Sequence, residues 1–127
     1  MRWGRIIVAA VLAEVAAVAA VVLAVALFGP DTQEAAEAYA MKIARWLGPV
    51  AGACATFAGA IIVAKGAPDR ALAHGVAVGC CIALIDAALL VGGGATFEWL
   101  FVASDAGRIA AGALGGWVVH SYMPMST

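Results

Sequence analysis

The chain has 127 residues, of which 65% are hydrophobic and 12% charged, and its mean hydropathy is +1.03; a soluble domain has roughly 45–50% apolar and about 25% charged residues. So small a soluble protein has too much surface for its volume to hide that apolar content, so lipid is the expected solvent. The formal net charge of -1 excludes a nucleic-acid binder that relies on a basic face.

A helix needs about 20 apolar residues to cross roughly 30 Å of hydrocarbon. The first candidate, residues 6–28, is interrupted only by Glu14 and stops at Gly29-Pro30. Arg2 and Arg5 ahead of it, and Ala24-Val25-Ala26 within it, have features of a cleavable leader. The apolar run is about twice the apolar core of a usual leader and carries an acid, so a transmembrane helix is expected instead. Next comes a capping-box-like start, Asp31 and Glu34, just after Pro30. Ala36, Tyr39, Ala40, Ile43, Trp46 and Leu47 then recur at helical spacing, with Glu34, Glu37, Lys42 and Arg45 on other faces. This pattern predicts an amphipathic interfacial helix over residues 32–47, anchored by Tyr39 and Trp46. Alternatively, it continues across Gly48-Pro49 with a kink.

The second span covers 48–64, the third 71–91 and the fourth 97–119. Gly92-Gly93-Gly94 reads as a turn after a helix C-terminus; with no Lys-Ser/Thr following, it is not a phosphate-binding loop. The expected architecture is all-α: an integral membrane bundle of four transmembrane helices with one interfacial helix, as a single domain over 1–127. Arg2, Arg5, Lys65 and Arg70 mark one side, against Lys42 and Arg45 on the other. That bias places both termini in the cytoplasm, and the Ala/Val/Gly-rich composition suggests a bacterial inner membrane.

Helices in lipid associate by close backbone approach over small residues. Gly75 and Gly79, followed by Ala83, form one such stripe on the third span, and Gly112 and Gly116 another on the fourth. Extended at i±4, the latter reads Ser104, Arg108, Gly112, Gly116 and His120, while the second span offers Gly52, Thr56 and Gly59 or Ala60. These faces predict a tight bundle, a homo-oligomer, or both.

Ionisable groups within the bilayer cost several kcal/mol unless paired or hydrated, which makes each a functional candidate. They are Glu14, Asp86, Asp105 and Arg108. Glu14 lies ~12 Å in from the cytoplasmic end of its helix and is the sole ionisable group there. Asp105 and Arg108, at i,i+3, are expected to pair with one another. In the alternative, Arg108 pairs with Glu14 or Asp86 from a neighbouring helix, forming a proton or ion relay. Three acids against one base leave two carboxyls without a fixed cation, which suits proton exchange and equally suits hydrogen bonding across helices.

The stretch Val11-Leu12-Ala13-Glu14-Val15 resembles the first helix of the small multidrug resistance transporters, and length and helix count are similar too. The resemblance implies a membrane glutamate, here Glu14, that exchanges protons for cationic drugs. The chain departs from that family in its Asp105/Arg108 pair and in lacking tryptophan in spans two and three. Arg108 before Gly112, Gly115, Gly116 and Trp117 resembles small bacterial four-span membrane proteins, which implies no activity.

His74 and His120 fall near one level on the third and fourth spans. Two histidines on facing helices can hold a haem or a metal ion, though interfacial side chains are the plainer expectation. Cys54, Cys80 and Cys81 lie in apolar runs without CxxC or zinc spacing. Cys80 and Cys81 point about 100° apart on a helix, so packing is expected of them. Ser104, Ser121 and Ser126 lack the histidine-acid surroundings of a nucleophile. The functional expectation is therefore a non-enzymatic membrane protein without a cofactor, assembled through its glycine faces as a homo-oligomer or a subunit. The alternative is a proton-coupled transporter of small cationic or amphipathic compounds using Glu14. A haem or metal protein using His74 and His120 comes third.

Overall fold

A computed structural model describes residues 1–123; Ser126 lies outside them. Four helices account for nearly all of it: α1 (Trp3–Phe28), α2 (Gln33–Lys65), α3 (Ala71–Gly92) and α4 (Trp99–Tyr122), with a 3₁₀ turn at Pro68–Arg70 before α3. The described residues contain no strand. α1, α2 and the segment Pro68–Gly92 are long and apolar enough to cross a membrane. In α4, Asp105 and Arg108 dilute an otherwise apolar sequence.

The helices end where the chain carries breakers. α1 closes at Gly29, whose N–H donates to the Val25 carbonyl before Pro30 turns the chain. Between α3 and α4, Gly94 adopts φ +65, the left-handed region that glycine enters without strain.

Two expectations fail between α1 and α2. No separate interfacial helix over 32–47 exists: as in the alternative reading, the helix continues across Gly48-Pro49, and α2 runs unbroken from Gln33 to Lys65 with Pro49 inside it. A proline in a helix interior costs about 3 kcal/mol. Here the 16 residues before Pro49 and the 16 after it, all within α2, hold the helix together. The capping box does not form either: α2 starts one residue later than Asp31 requires, its N-cap is Thr32, and no side chain caps it. Glu34 still lies in the first turn, where a carboxylate favours the helix dipole.

The helices run up and down in sequence, with α1 against α2, α3 against α4, and α2 central to both pairs. The backbones of α1 and α4 do not approach one another; they are diagonal. Glycines set the register. A Cβ at Gly79 would fall 2.7 Å from the Ile109 Cα, and one at Gly116 would fall 2.9 Å from the Leu72 Cα. At Gly75 and Gly112 a Cβ would run into the partner's backbone carbonyl. Gly115 packs against Phe57 and Ala60 of α2, and Gly59 against Ala9 of α1. The glycine stripes of α3 and α4 are thus consumed inside one chain. A homo-oligomer cannot use them without unpacking the bundle.

Burial is lopsided along the bundle axis. Fully buried residues stop at Ala17 in α1 and Ile82 in α3, and begin at Gly52 in α2 and Arg108 in α4. All of them lie in the half that carries Arg2, Arg5, Lys65 and Arg70, the basic end. The other half, ending in Asp31, Glu34, Glu37 and Glu98, packs more loosely. Arg108 sits at the boundary between the two halves.

Candidate functional site

Arg108 is the only lysine or arginine within the apolar spans, and its side chain is 6% exposed. It leaves α4 toward the bundle interior, between α1, α2 and α3. Its Nη1 donates to Glu14 Oε1 of α1 and lies 2.7 Å from Asp86 Oδ2 of α3. The Glu14 pair joins the two diagonal helices across the interior. On the α2 side the guanidinium lies against Gly52, where a Cβ would stand 2.7 Å from Nη2, 2.8 Å from Nε and 2.9 Å from Cζ. Gly52 is therefore the socket that admits the arginine. One turn further, the Thr56 hydroxyl donates to the Gly52 carbonyl at 2.6 Å, which satisfies a second buried polar group. The Nε of Arg108 is buried without a hydrogen-bond partner.

The expected Asp105–Arg108 pair does not form. Arg108 is bonded instead to Glu14 and Asp86, and Asp105 lies beside Asp86. The length of an arginine side chain explains the choice, since it can cross the interior to the two acids facing it. Glu14, with Ala10, Ala13 and Ala17 buried on its own helix, has no other cation to meet.

The four ionisable residues read from the sequence thus form one connected cluster. By position along the helices, Glu14 is the deepest, Arg108 follows, and Asp105 and Asp86 lie toward the loosely packed half. Arg108 is the least exposed at 6%, and of the two acids it holds Glu14 is 13% and Asp86 28% exposed. Below Arg108, toward the basic end, the Gly75, Gly79, Gly112 and Gly116 contacts leave no polar side chain between α3 and α4 except His74. The sequence pointed to Gly52 and Thr56 only as packing residues; their i,i+4 spacing was the available signal for a socket on α2.

His74 and His120 are placed differently from one another. His74 is buried at the basic end, with Nδ1 2.9 Å from the Arg70 carbonyl and Nε2 accepting from the Arg2 backbone N–H at 3.4 Å. Both ring nitrogens are engaged, and His120 is exposed. Among the described residues no group of three or more His, Cys, Asp and Glu is arranged to hold a metal ion. Cys54 is exposed, Cys80 and Cys81 are half-buried, and all three are free thiols. At the acidic end, Arg45 and Glu98 form an exposed ion pair at 3.5 Å. No protein-family model, curated protein or solved structure matches this chain.

Proposed function

We propose that this chain is a small four-pass integral membrane protein whose buried cluster of Glu14, Asp86, Asp105 and Arg108 exchanges protons for small organic cations. The observation that carries the reading is the convergence of Glu14 and Asp86, from different helices, on one guanidinium, with a third carboxyl beside them. Three carboxyls and one guanidinium reach electroneutrality with two protons or two monovalent cations. A cluster in low dielectric is costly away from neutrality, so cation arrival and proton departure are coupled by charge balance. The loosely packed half supplies the approach, and the glycine-packed half closes the other side.

In this reading α4 is the fourth pass. It packs along α2 and α3, and its charges are neutralised inside the bundle. Arg2, Arg5, Lys65 and Arg70 on one end, and four acids against Lys42 and Arg45 on the other, put both termini on the cytoplasmic side. The plasma membrane of a bacterium remains the proposed location.

A test uses purified protein in vesicles carrying a proton gradient, with ethidium as the cation followed by fluorescence. Gradient-driven ethidium movement that is lost in Glu14→Gln and Asp86→Asn supports the reading. Equal movement in wild type, variants and empty vesicles overturns it. One observation favours a second reading, a non-enzymatic scaffold: Arg108 is a joint where all four helices meet. In that reading the two variants alter stability alone, and a homo-oligomer or partner protein docks on the lipid-facing surfaces, since the glycine faces are occupied.

A further inference from the structure

Between α1 and α2, at the basic end, runs an open groove of about 710 Å³. Its walls are apolar: Ala9, Ala13 and Ala16 line it from α1, and Ala55, Ala58 and Gly59 from α2. The only charged residue lining it is Arg5. We propose that this groove holds an acyl chain of one anionic phospholipid, with the phosphate headgroup bound by Arg5 and Arg2.

Three features favour that occupant. From Gly4 to Ala16 the α1 wall rises about 18 Å, close to the depth of one leaflet, about half of a 30 Å hydrocarbon core. The groove opens to the side of the bundle, where lipid rather than water is the neighbour. At its mouth two guanidinium groups converge over the C-terminal end of α2. A Cβ on Gly66 would fall 2.5 Å from Nη1 of Arg5 and 3.5 Å from Nη1 of Arg2. Neither arginine has an ion-pair partner among the described residues. Lys65 and Arg70 stand nearby in the chain, with Asp69 as the only acid of that loop. An apolar slot one leaflet deep, topped by unpaired cations, has the charge and length of a single anionic lipid. The inference rests on the membrane placement of α1 and α2, and is independent of the proton-exchange reading.

Native mass spectrometry of the detergent-purified protein, mixed with phosphatidylglycerol or with phosphatidylcholine of the same chains, tests it. The expected result is one tightly retained phosphatidylglycerol per chain, held in preference to phosphatidylcholine. A basic residue near an anionic surface is worth about fivefold in binding, so Arg5→Gln should weaken phosphatidylglycerol retention by about that factor and leave phosphatidylcholine unchanged. Ala58→Phe, on an exposed position of the groove wall, should abolish retention, and Ala16→Leu on the opposite wall should weaken it. Leu84→Phe, on a surface outside the groove, should do neither. Circular dichroism confirms that each variant is folded. Equal retention of the two lipids by wild type, or retention unchanged by both groove-filling variants, overturns the proposal.

Discussion

Arg108→Met removes the one cation that Glu14 and Asp86 share. Methionine keeps the aliphatic stem but reaches only to about the position of Nε and carries no charge, so the Cζ and Nη2 contacts with Gly52 are lost together with both ion pairs. Two carboxyl groups, 13% and 28% exposed, are then left without their common donor. Breaking a buried pair by removing one partner costs about 3–5 kcal/mol. Glu14→Gln should cost less, about 1–2 kcal/mol, because Arg108 keeps Asp86 at 2.7 Å and the amide oxygen still accepts a hydrogen bond. In the triple variant Arg108→Met/Glu14→Gln/Asp86→Asn only Asp105 of the three carboxyls remains, so it should recover at least half of the loss. The assay is equilibrium unfolding in mixed micelles, followed by far-ultraviolet circular dichroism. An Arg108→Met variant within about 0.5 kcal/mol of wild type, with effects that simply add to those of Glu14→Gln, would refute the pairing.

Other consequences are separable from that one. Gly79→Ala sets a methyl 2.7 Å from the Ile109 Cα, so α3 and α4 must part; overpacking of this kind costs about 1–3 kcal/mol, read as a lower melting temperature. Gly52→Ala should displace the guanidinium rather than the backbone, so unfolding should show weakened Arg108–Asp86 coupling in a double-mutant cycle. Glu98→Gln should change stability by less than about 0.5 kcal/mol, because its partner Arg45 is 60% exposed and water screens the pair. Added haem should give no bis-histidine Soret band, since the two ring nitrogens of His74 are already engaged; such a band in the wild type that His74→Ala removes would contradict the placement of that side chain.

The helix ends were legible in the sequence because they are local. Gly29-Pro30 and the Gly92–Gly94 run act through backbone preferences that need no knowledge of the rest of the chain. Gly48-Pro49 left two readings open for the same reason. It reads as a break, yet the chain absorbs it within a 33-residue helix. Both glycine stripes were recognisable as packing faces, but spacing on one helix does not say whether the partner is another helix or another copy. Arg108 shows the limit most clearly. Local spacing favoured Asp105, three residues away, whereas the partners lie 94 residues and 22 residues distant. Which acid meets the arginine depends on helix register, set by contacts such as Gly79 on Ile109 and Gly59 on Ala9. No periodicity within a single helix encodes those.

The exchange reading turns on whether a cation and a proton compete for the same carboxyl cluster. Proton release from weakly buffered, detergent-solubilised protein, measured as a panel of organic cations is added, tests this directly, with Glu14→Gln alongside. The account predicts release by wild type on cation binding and its loss in the variant. Cation binding without proton release, or release that Glu14→Gln leaves intact, would contradict it.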